Sequence, residues 1–155
     1  MKTEIREMPD YLVAYVRKIG PYGKETCGQA FDELMRWAGP KGLIGHAPVF
    51  GVYWDNPSVT SPENCRTDAC VGVPEGTIVD GRAGLQVLEG GRYAVCGFVL
   101  ASDEFQQCWD EAFAWLVSNG YQCDDKPCYE LYHNNGAEAP DGKWIVDICI
   151  PLKHG

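Results

Sequence analysis

The residue best suited to chemistry is a glutamate in the middle of a predicted strand, Cys128-Tyr129-Glu130-Leu131-Tyr132. Because side chains alternate along a strand, Cys128, Glu130 and Tyr132 share one face, and Tyr129 and Leu131 share the other. Burying a carboxylate without a partner is costly, so a buried Glu130 must either have a raised pKa or leave room for a cationic partner, and a cavity lined by aromatic residues suits the second. The alternative is that Glu130 faces solvent or pairs with a nearby Lys or Arg.

Aromatic residues could complete such a site, because a ring face attracts a cation by roughly 0.5 to 2 kcal/mol and stacks on planar ligands. Trp54, Tyr132 and Trp144 lie near predicted strand ends, and Tyr22 lies on the loop that opens the first helix. Trp115 lies off the apolar helix stripe and could instead complete the edge of the core. The predicted ligand-binding residues are Glu130, Tyr132, Trp54, Trp144, Trp109, Trp115 and Tyr22.

Catalytic motifs are sparse in this chain. There is no G-x-S-x-G, P-loop or H-E-x-x-H motif. His133 is three residues from Glu130, and strand alternation places the two side chains on opposite faces. We therefore predict a binding protein rather than an enzyme. The alternative is hydrolysis, with Glu130 as general base on a water and a tyrosine as acid.

The cysteines do not follow a metal-binding pattern. None of the eight forms a C-x-x-C pair and the three histidines are far apart, so we predict no metal site and no cofactor. Several lie in apolar runs, as expected for thiols in a reducing compartment. Cys65 with Cys70 and Cys123 with Cys128 share an x4 spacing, which we interpret as chance within a repeat.

Charge and hydropathy restrict the possible partners. The net charge of −9 and the scattered distribution of 13 Lys and Arg argue against direct binding to nucleic acid. No apolar run is long enough to span a membrane, and the first residues do not resemble a signal peptide. We expect a cytoplasmic protein with no membrane partner.

The chain repeats itself at about half its length. FDELMRWAGPKGL from Phe31 matches WDEAFAWLVSNGY from Trp109 at an offset of 78 residues. Each repeat contains two strands, an amphipathic helix and two more strands. We predict one domain over residues 1–155, with unit one at about 3–75 and unit two at about 84–153. The alignment matches Glu130 with Val52, so the repeated scaffold does not need the charge.

The spacing of apolar residues predicts helices at 24–38 and 103–118, the second with Ser102 as N-cap. The turn residues at 134–136 and 140–142 predict an antiparallel hairpin between the last two strands. The predicted fold class is α+β, a duplicated β-α-β-β unit whose antiparallel sheets carry helices on one face.

Several segments together resemble the GyrI-like small-molecule-binding domains, which also serve as effector-binding domains of AraC-type and multidrug-responsive transcription activators. The resemblance covers nearly the whole chain. Its carriers are Gly20-Pro21-Tyr22, Phe50-Gly51-Val52-Tyr53-Trp54-Asp55-Asn56-Pro57 with Pro62-Glu63, Asp68-Ala69-Cys70-Val71, Tyr129-Glu130-Leu131-Tyr132 and Ile150-Pro151-Leu152-Lys153.

The resemblance implies pseudo-twofold symmetry and a central groove, in which a glutamate matching Glu130 contacts hydrophobic, often cationic, ligands. It implies a stand-alone binder, because the first family-like strand begins by Thr3 and leaves no room for a DNA-binding domain. Two alternatives follow from stand-alone relatives: modulation of DNA gyrase by protein contact, and hydrolysis of cyclopropane-containing toxins. Gly72 stands where the family commonly has proline, and Asn134-Asn135 replaces its acidic-proline turn.

Overall fold

The computed structural model describes residues 1–154, which form eight strands and two α-helices. In chain order the elements are β1 (Lys2–Met8), β2 (Tyr11–Ile19), α1 (Lys24–Ala38), β3 (Val49–Tyr53), β4 (Arg66–Gly72), β5 (Gly84–Leu88), β6 (Gly91–Leu100), α2 (Phe105–Ser118), β7 (Cys128–Tyr132) and β8 (Trp144–Pro151). The predicted α+β class is confirmed. Within residues 1–154, neither helix has the length and apolar character required to cross a bilayer.

The chain divides into two compact units, each with four antiparallel strands and one helix. The central unit is Asp10–Glu89, with its strands in the order β3-β4-β2-β5. The terminal unit is Met1–Pro9 together with the chain from Gly90 onward, with its strands in the order β1-β6-β8-β7. These two orders correspond strand by strand, as expected for a duplicated element.

The first strand of each sequence repeat is exchanged between the units. β1 pairs with β6 of the second repeat, from Lys2 opposite Gly97 to Met8 opposite Gly91. β5 pairs in the same way with β2 of the first repeat, from Tyr11 opposite Leu88 to Tyr15 opposite Gly84. Each compact unit is therefore built from both repeats of the sequence.

Each helix packs on one face of the sheet of its own unit. In the central unit, α1 buries Ala30, Leu34 and Ala38 against β2 and β4. In the terminal unit, α2 buries Cys108, Ala112 and Leu116 against β6 and β8. Small residues at the helix–sheet contacts allow close approach, and the larger aromatic residues of α2 lie at its edges, where they are only partly buried.

The start of α2 differs from its prediction. The helix begins at Phe105 with Glu104 at the N-cap position, so the prediction of Ser102 as N-cap is wrong. The Glu104 carboxylate instead accepts a hydrogen bond from the Ala101 backbone N–H at 2.6 Å, which holds a turn ahead of the helix. The predicted antiparallel pairing of β7 with β8 is confirmed.

Candidate functional site

The register of β7 on β8 determines where Glu130 points. Glu130 lies opposite Ile148, a residue of the core beneath α2, whereas Tyr129 lies opposite Cys149. Since directly opposite residues share a face, the Glu130 side chain faces α2. Only 3% of the residue is exposed, so the possibility that it faces solvent does not hold.

Two neutral donors hold the Glu130 carboxylate. The indole Nε1–H of Trp109, on α2, donates to Oε2 at 2.6 Å, and the hydroxyl of Tyr132 donates a short hydrogen bond to Oε1. Tyr132 is two residues along the same strand, so alternation brings it to the same face. An indole and a phenol orient the carboxylate without adding positive charge to it.

Further rings pack next to Tyr132 and extend this cluster. Trp144 packs against Tyr132 with ring centroids 5.6 Å apart, and Phe105 packs against Trp144 at 6.1 Å. A Cβ at Gly136 would overlap the Trp144 ring, so this loop position requires glycine. We define the Glu130 cluster as Glu130, Trp109, Tyr132, Trp144 and Phe105. The sequence prediction omitted Phe105, whose position on the helix stripe suggested only a core role.

His133 belongs to a different contact. Its Nε2 lies 2.8 Å from Oδ2 of Asp147. Asp147 precedes Ile148 on β8, so its side chain lies on the other face of the sheet from those of Ile148 and Glu130. This geometry agrees with the prediction that His133 and Glu130 form no acid–base dyad. Within residues 1–154, no group of three or more His, Cys, Asp and Glu side chains is arranged to hold a metal ion.

Trp115, a predicted ligand-binding residue, is placed by different contacts from those of Trp109. Its ring stacks on Tyr121 at 5.7 Å with an interplanar angle of 11°, near the C-terminal end of α2. The guanidinium of Arg92 lies 5.6 Å from the Tyr121 ring centroid. This stack packs against the core edge, which was the alternative interpretation of Trp115.

Trp54 lies in the central unit, where it helps to hold a buried acid. Its Nε1–H donates to Oδ2 of Asp68 at 2.7 Å, and Arg17 donates to both Asp68 oxygens at 2.7 and 2.9 Å. Gln86 donates to Oδ2 at 2.9 Å. The guanidinium groups of Arg17 and Arg66 lie 5.5 and 5.6 Å from the Trp54 ring centroid. Trp54 thus completes an ion-paired polar network.

Tyr22, also in the central unit, anchors the loop before α1 by hydrogen bonds. Its hydroxyl accepts a hydrogen bond from the Asp55 N–H at 2.9 Å and lies 3.1 Å from the Arg66 carbonyl oxygen, to which it donates. Burial raises the pKa of Tyr22 to about 12. A hydrogen bond from Arg66 lowers the pKa of Asp55, so this carboxylate is ionised at neutral pH.

The strand registers correct the repeat alignment around Glu130. The segments Asp68-Ala69-Cys70-Val71 and Asp147-Ile148-Cys149-Ile150 match between the repeats at an offset of 79 residues, and Asp68 and Asp147 lie opposite Val52 and Leu131 respectively. Val52 therefore matches Leu131, which places Gly51 at the position of Glu130. The predicted match of Glu130 with Val52 is wrong by one residue, because the loops of the two repeats differ in length. The first repeat still has no acid at this position.

The family model of the GyrI-like small molecule binding domain matches residues 1–153. The chain belongs to the GyrI-like family. It is 34% identical over 157 residues to the DNA gyrase inhibitor of Escherichia coli K12, covering 99% of this chain and 98% of that protein. It is 35% identical over 159 residues to the DNA gyrase inhibitor of Salmonella typhimurium, covering 99% of each.

Solved structures share the fold of this GyrI-like chain at lower identity. The C-terminal domain of EcmrR superposes with a TM-score of 0.78 at 19% identity, covering 99% of this chain and 98% of that one. SAV2435, whose structure contains tetraphenylphosphonium, superposes with a TM-score of 0.66 at 15% identity, covering 99% and 94%. A hydrolase from Listeria innocua superposes with a TM-score of 0.67 at 17% identity, covering 98% and 92%.

The hydrogen bond from Tyr132 generates a prediction about stability. Tyr132→Phe removes one donor from a buried carboxylate, so we expect a loss of roughly 1 to 3 kcal/mol in the free energy of unfolding. Tyr121→Phe, which removes a hydroxyl from the ring stacked on Trp115, is the matched control and should change stability by less than about 0.5 kcal/mol. Urea denaturation followed by circular dichroism measures both. Equal losses in the two variants would contradict the assigned bond.

Proposed function

We propose that this GyrI-like chain binds small hydrophobic cations, with Glu130 as the anchoring carboxylate. The observation that carries the proposal is a buried acid held by two neutral aromatic donors, next to which two further aromatic rings pack. The proposed ligand-contacting residues are those of the Glu130 cluster. Trp115, Trp54 and Tyr22 are left out of this set, because their contacts support the packing of α2, the Asp68 network and the loop before α1.

The absence of charge on the two donors, Trp109 and Tyr132, supports a cationic ligand. Trp109 and Tyr132 are neutral donors, so their hydrogen bonds add no positive charge to the carboxylate, and charge interactions are stronger in a buried site than in water. Ring faces add roughly 0.5 to 2 kcal/mol of attraction for a cation that lies against them. An anion at the same place would be repelled by the carboxylate and by the ring faces together.

Partial exposure of the rings supports ligand access. Glu130 is almost fully buried, but Trp109, Tyr132, Trp144 and Phe105 are each partly buried. A ligand can contact these ring surfaces from outside and reach the carboxylate by rotation of Tyr132, whose hydroxyl would then exchange its bond for a ligand contact. The similarity in fold to SAV2435, solved with the hydrophobic cation tetraphenylphosphonium, favours this class of ligand.

Removal of the charge tests the anchor. In titrations with a rhodamine-type cationic dye, followed by tryptophan fluorescence, Glu130→Gln should weaken binding by about tenfold to a hundredfold, the range expected for a charge-assisted contact. The substitution keeps the shape of the side chain, so a neutral aromatic ligand of similar size should bind both proteins equally.

Asp147→Asn is the matched control, because it neutralises an acid on the opposite face of the neighbouring strand and should leave dye binding unchanged. Equal affinity of the wild type and Glu130→Gln for the dye would reject Glu130 as the anchor. Equal weakening in both variants would instead indicate an effect of the overall negative charge.

A second function is favoured by relatives of this chain in the GyrI-like family. Proteins named DNA gyrase inhibitor are 34% and 35% identical to this chain over nearly their full length. We infer that this chain also inhibits DNA gyrase, and that it does so by contact with the enzyme. The net charge of −9 disfavours competition for the DNA itself. This role would be exercised in the cytoplasm.

A supercoiling assay tests this second function. Purified chain added to DNA gyrase and relaxed plasmid should reduce the rate of supercoiling in a dose-dependent manner, while topoisomerase I on the same plasmid keeps its rate. Full gyrase activity at a large molar excess of the chain would contradict the inference. Inhibition by Glu130→Gln equal to that of the wild type would show that the gyrase contact does not use the Glu130 cluster.

A further inference from the structure

Two cysteine side chains meet just before the strand that carries Glu130. Sγ of Cys123 lies 3.9 Å from Sγ of Cys128, across the short segment 123–128. Both residues are partly buried and both lie at the edge of the core beneath α2. The two sulfur atoms of a disulfide are about 2.05 Å apart. Small side-chain rotations are therefore enough to bring these two thiols to bonding distance.

The backbone holds both cysteines against β8. Cys123 forms an isolated antiparallel bridge with Leu152, and the Asp124 N–H donates to the Pro151 carbonyl oxygen at 2.8 Å. Cys128 is the first residue of β7, next to the pair formed by Tyr129 and Cys149. Cys123 is thus paired with the residue that follows β8, and Cys128 begins the strand that pairs with β8.

We propose that Cys123 and Cys128 form a redox-active dithiol, in which Cys123 attacks a small disulfide such as oxidised glutathione and Cys128 resolves the product into an intramolecular disulfide. This inference is independent of the proposed ligand and of gyrase. It gives a chemical role to an x4 spacing that the sequence alone did not distinguish from chance.

The order of attack follows from the environments of the two sulfur atoms. The hydrogen bond between them lowers the pKa of Cys123 and raises that of Cys128, so Cys123 is the thiol that forms a thiolate first. Thiolates, rather than thiols, attack disulfides. Burial raises the pKa of five other cysteines, which makes them less reactive: Cys65, Cys70, Cys96, Cys108 and Cys149.

The reaction balances as a two-step exchange. The Cys123 thiolate attacks one sulfur of oxidised glutathione, a protein–glutathione disulfide forms, and the first glutathione leaves as a thiolate that takes up a proton. Cys128 then loses its proton to solvent and attacks Sγ of Cys123, which displaces the second glutathione. Two cysteine thiols are oxidised, and one glutathione disulfide is reduced to two glutathione thiols.

The other x4 pair is a built-in comparison. Sγ of Cys65 donates to backbone carbonyl oxygens of Thr60 and Ser61, whereas Sγ of Cys70 contacts the Asp68 carbonyl oxygen and the Gln86 amide. Both residues are buried. The same spacing in sequence therefore gives a thiol pair in the terminal unit and two separately bonded thiols in the central unit.

Peptide mapping of the whole chain tests the proposal. Reduced protein is treated with oxidised glutathione, alkylated, and digested by a protease that cleaves before aspartate. Asp124 and Asp125 lie between the two cysteines, so only a disulfide can keep the peptides 110–123 and 125–140 together. We expect this linked pair, with a loss of two hydrogen atoms from the intact mass, and no link between peptides 55–67 and 68–79, which contain Cys65 and Cys70.

Single substitutions assign the two roles. Cys128→Ser should stop at one glutathione attached to Cys123, and Cys123→Ser should lose the linked pair and leave Cys128 unmodified in the native protein. Alanine variants, with circular dichroism to verify folding, replace any serine variant that does not fold. The proposal is overturned if the wild type gives no linked pair, or if glutathione is attached to the buried cysteines as readily as to Cys123.

Discussion

The carboxylate of Glu130 imposes the main constraint on the terminal unit. It is almost completely buried on a strand face that otherwise contributes to the core beneath α2, and an acid in that position must be solvated by protein groups. β8 fixes its direction through the strand register, α2 supplies the indole of Trp109, and β7 itself supplies the hydroxyl of Tyr132. The rings of Trp144 and Phe105 extend this cluster beyond Tyr132.

The central unit also contains a buried acid, Asp68, whose contacts are structural. Asp68 is fully buried, and Arg17 neutralises it through a bidentate ion pair, with Trp54 and Gln86 as further donors. In the terminal unit, Trp109 and Tyr132 provide hydrogen bonds to Glu130 without charge. These donors to the two buried acids therefore differ: Asp68 receives a guanidinium as well as neutral donors, whereas the indole and the phenol that donate to Glu130 are both neutral.

Periodicity and turn residues in the sequence predicted the fold class and the faces of the strands. They predicted α1 at its observed bounds, the antiparallel pairing of β7 with β8 and the separation of Glu130 from His133, but not the exchange of the first strand of each repeat. They could not predict the bond between Trp109 and Glu130, which depends on how α2 lies over β7. The alignment of the two repeats matched Glu130 with Val52 in place of Gly51. This shift of one residue arose because the loops of the two repeats differ in length.

We propose that the Glu130 cluster distinguishes ligands of the same shape by the sign of their charge. Tetraphenylphosphonium and tetraphenylborate have nearly the same size and the same phenyl surface, but opposite charges. Isothermal titration calorimetry of the wild-type chain with each ion measures this distinction directly. We predict that the cation binds and the anion does not. Binding of both ions with similar affinity would contradict a site organised around the Glu130 carboxylate.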